Sequence, residues 1–274
     1  MVLMLLLFVV FCVSVYMLLR MLIQYGKSRR EYAELNAIAV STVEPNRLSV
    51  SETPVLQEPL TGPSDSESIS GSLPWEDQEK AAAEAGITVD WDALKKINGY
   101  VAAWLYCPDT NISYPVVQYK DNEFFLNRNF NRGEDESGTL FFDYRNILLN
   151  DRENWVIYGH RRNDKSMFGS LAKYAKPEYL AEHPVMYLLM PDRNYRVEIF
   201  SCRTVHAEQQ YFKLWFNDDA EYREYLDKAV KQSYWTPPFA PGTDLPILTL
   251  ATCSTYNGDD EPRLLVHGRL IPID

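Results

Sequence analysis

A series of short β-rich runs in the last two thirds of the chain restricts the possible folds more than any other feature. Aliphatic and aromatic residues dominate each run, and Gly, Pro, Asn and Asp separate one run from the next. The runs are YVAAWLYCP, ISYPVVQY, GTLFFDY, NWVIYGH, VMYLLM, YRVEIFSCRTVH, PILTLATC and RLLVHGRLI. Eight such runs within about 190 residues predict a mainly β domain, either a closed barrel or a sandwich.

Helical patterns precede and interrupt these runs. The stretch DKSMFGSLAKYAKPEYLAEH has apolar residues at helical intervals and is broken by Pro177. Residues 218–233 place apolar side chains on one face, and Asp218 or Asp219 is the expected N-cap. Two further short helices are predicted before the first run, in PWEDQEKAAAEAG and in VDWDALKKIN. We expect all of them to be peripheral to the β domain.

The N-terminus is uncharged and almost wholly apolar up to Arg20, which is long enough for a membrane-spanning helix. A cleaved signal peptide would have a shorter apolar core and a small-residue cleavage site, and a buried core helix is the less favoured alternative. Residues 40–74 are rich in Ser, Thr, Pro and Glu and lack aromatic residues, as in a flexible linker. We therefore predict a transmembrane anchor (1–25), a juxtamembrane segment with a linker (26–75) and a globular domain (76–274).

Charge and composition exclude several classes of function. The formal net charge of −11 argues against a broad nucleic-acid-binding surface. The four cysteines form no CxxC pair and show no zinc-type spacing. The acidic runs at 134–136 and 258–261 lack the ligand spacing of an EF-hand loop, so we interpret them as solvated loop charges. No metal ion or other cofactor is expected.

Cys253 is the candidate nucleophile, because it ends a β-rich run where the chain passes into a polar loop. A free cysteine has a pKa near ~8.5, so a reactive thiol usually needs an imidazole within hydrogen-bond reach. Cys12 lies inside the apolar N-terminal segment, where lipid-facing packing is expected. Cys107 and Cys202 lie in β-rich runs, and we expect them to pack as inert side chains.

Four histidines compete to be the partner of Cys253. His160 also ends a β-rich run before a polar loop and is the first candidate. His267 lies in the middle of a run, where a packed histidine is the usual case, yet it is the serious rival. His183 precedes a proline and is expected to cap a helix, whereas His206 is ambiguous.

Arg263 is the candidate for stabilising an oxyanion, a task that requires backbone N–H groups or a fixed cation. It begins the run that follows the loop after Cys253. If residues 246–253 and 263–270 form a hairpin, Cys253 and Arg263 lie at the same rim of the sheet. An ordinary surface arginine is the alternative.

These residues resemble the sortases, the membrane-anchored cysteine transpeptidases of Gram-positive bacterial surfaces. The resemblance covers about residues 88–274 and is carried by TLATC, by Arg263 ten residues later and by VIYGH upstream. TNISYPVVQ and NEFFLNRNF…SGTLFFDYRN also match the family. The stretch SMFGSLAKYAKPEYLAEHPVMYL and the helical residues 218–233 resemble class B, and the pilus-polymerising class C is the closest rival.

The resemblance implies an eight-stranded β-barrel that contains Cys253 as nucleophile, His160 as general acid/base and Arg263 as stabiliser of substrate and oxyanion. Thr252 is expected to contact the substrate. Cys253 would attack the threonine carbonyl of an LPxTG or NPxTx sorting signal, and a cell-wall amine would resolve the thioacyl-enzyme. The implied partners are surface proteins with C-terminal sorting signals, a peptidoglycan precursor or cross-bridge amine, and the membrane. A hydrolytic cysteine peptidase and an inactive membrane-tethered binding module are the alternatives.

The resemblance also implies a single-pass protein of the cell membrane with its catalytic domain outside. The basic residues after the apolar run argue for the opposite orientation, because the positive-inside rule would place this flank in the cytoplasm. They are Arg20, Lys27, Arg29 and Arg30. Long domains can translocate regardless of flank charge, so the two expectations conflict without excluding each other.

Overall fold

The protein is built around a closed barrel of eight strands. The computed structural model describes residues 2–42, 84–148, 152–206, 213–253 and 262–273, with the backbone alone for Cys253. The barrel strands are β3 (Val101–Tyr106), β4 (Ser113–Val117), β5 (Leu140–Phe142), β6 (Asn154–His160), β7 (Val185–Leu189), β8 (Asn194–Val205), β9 (Ile247–Cys253) and β10 (Arg263–Pro272). Each of the eight β-rich runs forms one of them, so the barrel prediction is confirmed and the sandwich alternative is wrong.

The strand order around the barrel is β10-β8-β7-β3-β4-β5-β6-β9, and β10 pairs with β9 to close it. Most neighbours are antiparallel, but β4 and β5 are parallel, as are β6 and β9. Parallel neighbours end at the same rim, whereas antiparallel neighbours end at opposite rims. The parallel β6–β9 pair is therefore the topological feature that can bring two strand-end residues together.

The barrel interior and the layer outside β6 form the core. Every side chain of β6 is buried, as expected for a strand that is covered on both faces. Trp104, Trp155, Phe142 and Phe168 are among the largest fully buried side chains. Burial of each contributes roughly 1.5–3 kcal/mol before the entropy cost of ordering the chain. This packing makes the strand that carries His160 a rigid support.

Peripheral helices flank the barrel as the sequence predicts. The helix that begins at Trp91 follows Asp90, whose carboxylate accepts a hydrogen bond from the Ala93 N–H at 2.9 Å. The helix that begins at Asp219 follows Asp218, whose carboxylate accepts a hydrogen bond from the Glu221 N–H at 2.8 Å. The α-helices are α2 (Trp91–Ile97), α3 (Pro177–Glu182) and α4 (Asp219–Lys231). Two 3₁₀ helices span Phe124–Asn127 and Phe168–Ala175.

The N-terminal helix α1 (Val2–Ala39) has two different halves. The half that begins at Val2 is apolar and exposed, with a mean hydropathy of 3.0 over its most apolar window, and its length and composition allow it to cross a membrane. The second half packs against the barrel through Ser28, Tyr32, Leu35 and Ala39, which are buried.

The chain leaves α1 directly into a short strand, β1 (Val40–Thr42), which pairs with β2 (Ile87–Val89). The first three residues of the predicted linker are therefore part of a sheet. Residues 43–83, which include the rest of the linker and most of the helix predicted in PWEDQEKAAAEAG, lie outside the described residues.

Candidate active site at the barrel rim

Two of the predicted site residues end neighbouring parallel strands. β6 and β9 pair in register from Asn154 opposite Ile247 to His160 opposite Cys253. Because neighbouring strands lie about 4.8 Å apart, this register brings the backbones of His160 and Cys253 side by side at one rim.

Arg263 begins β10 at the same rim. β10 runs antiparallel to β9, and the Leu264 N–H donates a hydrogen bond to the Thr252 hydroxyl at 3.0 Å. One further step in this register places Arg263 opposite Cys253, so the predicted hairpin is confirmed. Thr252 is buried and its hydroxyl is engaged inside the sheet. Its contact with substrate stays a prediction.

The His160 imidazole is held by one nitrogen and leaves the other available. The ring is only 6% exposed, and Nε2 lies 2.5 Å from the carbonyl oxygen of Leu126. A carbonyl oxygen can only accept a hydrogen bond, so Nε2 carries the hydrogen. In the neutral ring Nδ1 then has the lone pair, and it has no hydrogen-bond partner among the described residues. This nitrogen is the one that can exchange a proton.

Residues 125–139, which we call the histidine-support loop, wrap the imidazole. Gly138 has φ +60°, and a Cβ built there would lie 2.5 Å from the Leu126 oxygen and 3.1 Å from His160 Cδ2. Glycine is required because no other residue fits this close approach or tolerates this φ without strain. On the strand itself, a Cβ at Gly159 would collide with Leu140 at 2.4 Å and with Phe168 at 2.6 Å. Gly138 thus allows the loop to pack against the imidazole, and Gly159 allows Leu140 and Phe168 to pack against the strand next to His160.

Sequence reasoning missed the histidine-support loop. Leu126 contributes a main-chain carbonyl, which leaves no trace in the sequence. Gly138, in ESGTLFF, belongs to a stretch that matches the family, but its residue type alone indicates no role. A glycine just before a buried strand is a weak signal of close backbone approach.

Burial lowers the pKa of His160 below its usual 6.5, and the positive charge of Arg162 lowers it further. The Leu126 carbonyl and the Asp135 carboxylate act in the opposite direction without reversing the shift. His160 is therefore mainly neutral at pH 7, with Nδ1 able to accept a proton.

The rival His267 has both ring nitrogens engaged. Thr249 Oγ1 donates its hydrogen to Asn154 Oδ1 at 2.6 Å, so it must accept one from His267 Nδ1 at 2.9 Å. Nε2 then accepts a hydrogen bond from Arg203 Nε at 3.3 Å. The ring is fully buried and stacks on Phe200, with ring centroids 5.9 Å apart. His267 is a packed core histidine.

The remaining histidines and cysteines have other environments. His183 is the C-cap residue of α3, as predicted, and His206 is exposed. Cys107 and Cys202 are buried, as predicted, and burial raises the pKa of Cys202 to about 12. Cys12 is exposed on the apolar half of α1.

The prediction that 134–136 are solvated loop charges is wrong for Asp135. Its carboxylate is buried and accepts hydrogen bonds from the Ser137 N–H at 2.8 Å and from the Ser28 hydroxyl at 3.1 Å. The hydroxyls of α1 and of the loop replace water, so the carboxylate can be buried without a paired cation. Residues 258–261 lie outside the described residues. Within the described ranges, no group of three or more His, Cys, Asp or Glu residues is arranged to hold a metal ion.

Comparison with known proteins agrees with this geometry. The family described as "Sortase domain" matches residues 105–271. Sortase B of Listeria monocytogenes is 34% identical over 178 residues, which cover 65% of this chain and 72% of that protein.

Solved structures of class B sortases are also similar. Sortase B from B. anthracis superimposes with a TM-score of 0.69 at 28% identity and covers 92% of this chain and 99% of that one. A Staphylococcus aureus sortase B–substrate complex gives a TM-score of 0.64 at 28% identity and covers 67% and 85%. The prediction of a class B resemblance is thus confirmed. The chain belongs to the sortase family of cysteine transpeptidases and is similar to its class B members.

Proposed function

We propose that this protein, anchored in the membrane by α1, cleaves the C-terminal sorting signal of surface proteins and transfers them to a cell-wall amine. In this proposal Cys253 is the nucleophile, His160 the general acid/base and Arg263 the stabiliser of the oxyanion. The register that pairs His160 with Cys253 carries the proposal, because it joins a strand-end thiol residue to an imidazole with an available Nδ1. The S. aureus sortase B–substrate complex supports a peptide substrate.

The first half-reaction forms a thioester. His160 Nδ1 accepts the proton of the Cys253 thiol, and the sulfur attacks the threonine carbonyl of the sorting signal. The C–S bond forms, and the C–N bond to the downstream peptide breaks as the tetrahedral intermediate collapses. Protonated His160 then donates its proton to the leaving amine, which restores the neutral ring.

The second half-reaction reverses these roles with a different amine. The amine attacks the thioester carbonyl, a new C–N bond forms and the C–S bond breaks. The amine proton passes through His160 to the departing thiolate. A thioester retains enough reactivity for an amine to compete with water, so the enzyme can ligate and not merely hydrolyse.

The position of Arg263 at the start of β10 supports its proposed role as a fixed cation that acts on the developing oxyanion. Arg263 is partly buried at the start of β10, one register step beyond the Thr252–Leu264 bond. A guanidinium held in a site with restricted water stabilises negative charge more strongly than the same group in bulk water.

The position of α1 supports a site close to the membrane surface. Ile23 is the last residue of the apolar, exposed segment of α1. Ser28, which contacts Asp135, follows it by five residues, or about 7.5 Å of helix. A sorting signal and a lipid-linked amine would both be within reach at that height.

The packing of α1 also bears on its orientation. Arg29 pairs with the Asp164 carboxylate at 3.3 Å, and Arg30 pairs with Glu34 at 3.1 Å. The flank that carries Arg29 is thus packed on the folded domain, so it lies on the same side of the membrane as the barrel, and the proposal requires that side to be the outside. We expect a reporter fused at the C-terminus to be extracellular, and a cytoplasmic reporter would contradict the proposal.

The test uses the full-length protein in nanodiscs, a sorting-signal peptide and an added amine. We expect cleavage, a ligated product that depends on the amine, and loss of both in Cys253→Ala. Cys12→Ala, which removes an exposed thiol from the apolar half of α1, is the matched control and should keep full activity. Cleavage with no amine-dependent product would instead identify a hydrolytic cysteine peptidase.

A further inference from the structure

The half of α1 that leaves the membrane segment contacts the same loop that holds His160. Ser28 Oγ lies 3.1 Å from both carboxylate oxygens of Asp135 and 2.6 Å from Ser137 Oγ. The Tyr32 hydroxyl donates a hydrogen bond to the Gly138 carbonyl at 2.7 Å. All these atoms are buried, where hydrogen bonds are costly to leave unmade.

The same face of α1 also binds the middle of the histidine-support loop, at Asn129 and Asn131. The Glu31 carboxylate accepts hydrogen bonds from Asn129 Nδ2 at 2.7 Å and from Asn131 Nδ2 at 3.0 Å. Three side chains within about one turn of the helix, Ser28, Glu31 and Tyr32, thus bind the loop over most of its length.

The loop transmits this attachment to the imidazole. Its two ends are joined by a hydrogen bond from the Thr139 N–H to the Phe125 carbonyl at 3.0 Å. Leu126, next to Phe125, supplies the carbonyl that fixes His160 Nε2, and Gly138, next to Thr139, lies against the ring. α1 therefore holds the Gly138 side of the ring directly, and the bond between Thr139 and Phe125 links the Leu126 side to it.

We infer that Ser28 and Tyr32 of the anchor helix are positioning residues for His160. They hold the histidine-support loop so that the Leu126 carbonyl keeps the hydrogen on Nε2 and leaves Nδ1 for proton transfer. The inference rests on the proposed role of His160. The helix that anchors the protein would then also help to position a catalytic side chain, in addition to attaching the domain to the membrane.

The charges next to His160 are held in the same way. Asp135, which raises the pKa of His160, accepts a hydrogen bond from Ser28. Arg162, which lowers it, stacks on the ring of Tyr25 with its guanidinium carbon 4.3 Å from the ring centroid. Both contacts come from α1, one turn apart.

The test compares thioacyl formation by the full-length protein in nanodiscs with that of Ser28→Ala/Tyr32→Phe. We expect kcat for acylation to fall by about tenfold or more, because small displacements of a catalytic group have effects of this size. KM for the peptide should stay within about twofold, since neither residue binds substrate, and the acidic limb of the pH profile should move. Ser28→Thr alone keeps the hydroxyl and should acylate at close to the rate of the unmodified protein.

Ser14→Ala/Tyr16→Phe is the matched control. Ser14 donates a hydrogen bond to the Val10 carbonyl at 2.8 Å, and it lies in the exposed apolar half, away from the histidine-support loop. The control should acylate at the rate of the unmodified protein.

Two outcomes would overturn the inference. Acylation by Ser28→Ala/Tyr32→Phe at the unmodified rate and with an unmoved pH profile contradicts it directly. A slower rate that follows the loss of folded protein, with an unmoved pH profile, would show a merely structural role. If the double variant does not fold, the same kinetic comparison applies to Ser28→Ala and Tyr32→Phe singly. Absence of acylation in the unmodified protein would contradict the proposed function instead.

Discussion

The barrel contains two buried histidines in different settings, His160 at the rim and His267 in the middle of the wall. Both have a pKa lowered by burial, and each has an arginine nearby, Arg162 for His160 and Arg203 for His267. They differ in their hydrogen bonds. Both nitrogens of His267 have partners inside the core, whereas His160 uses Nε2 alone within the described part of the chain.

The comparison shows that burial and a lowered pKa do not identify a catalytic histidine. A histidine with two satisfied nitrogens is part of the packing, because any proton transfer would break a buried hydrogen bond. Nδ1 of His160 has no partner among the described residues, and the parallel register places a cysteine backbone beside this strand-end residue. Hydrogen bonding and topology together separate the two residues.

The largest expected effect on the acylation rate comes from replacing each histidine by glutamine. His160→Gln should slow acylation by about 10²–10⁴-fold, the usual contribution of general acid–base catalysis, while the protein stays folded. His267→Gln should lower the free energy of unfolding by about 1–3 kcal/mol, because it disturbs a buried network. It should leave the acylation rate of the folded fraction within tenfold. Stopped-flow acylation kinetics and thermal unfolding measure both, and the reverse pattern would assign catalysis to His267.

Arginine substitutions extend the comparison to β10. Arg263→Ala should lower the acylation rate by more than tenfold, since loss of one oxyanion donor costs roughly 10²–10³-fold in other enzymes. Arg269→Ala is the control on the same strand. Its guanidinium pairs with Glu198, with Nε 2.8 Å from the carboxylate, far from the rim. A near-normal rate for Arg263→Ala would identify Arg263 as a surface charge.

Gly138→Ala sharpens the comparison because it disturbs the setting of His160 and not that of His267. The new Cβ would press on the Leu126 carbonyl, 2.5 Å away, and φ of +60° is strained for alanine. We expect about a tenfold loss of acylation and a loss of about 1–3 kcal/mol in stability. Gly99→Ala, where a Cβ meets nothing within 4 Å, is the control. Equal activities of the two variants would show that the loop does not hold His160.

The smallest expected effect is on pH dependence. His160 must be neutral to accept the thiol proton, so acylation should fall as the pH drops through a His160 pKa below 6.5. Asp135→Asn removes a negative charge that raises this pKa, so the acidic limb should move to lower pH by less than about one unit. Asp92→Asn, on the exposed surface of α2, should not move it. A shift to higher pH for Asp135→Asn would contradict the assignment.

Most of the fold could be predicted from the sequence, because period and turn residues act locally. All eight barrel strands and the cap at Asp218 follow from such signals. Strand-end positions predicted His160 and Arg263 as candidates in the same way. The choice between His160 and His267 needed the structure, since it depends on which nitrogens are bonded.

The environment of His160 could not be predicted, because it is made by non-local contacts. Leu126 acts through its backbone. Asp135 can be buried because the Ser28 hydroxyl of α1, more than a hundred residues earlier in the chain, reaches its carboxylate. No local pattern contains that pairing. The packing of α1 on the barrel is the largest feature that sequence reasoning did not foresee.

The central claim is that the rim where β6 and β9 end carries the thioacyl chemistry. The most direct measurement maps the acyl adduct by mass spectrometry after the full-length protein is mixed with a sorting-signal peptide and quenched. We expect an adduct on Cys253, with Cys12, Cys107 and Cys202 unmodified, and slower adduct formation in His160→Gln than in His267→Gln. An adduct on another residue, or turnover by Cys253→Ala, would contradict it.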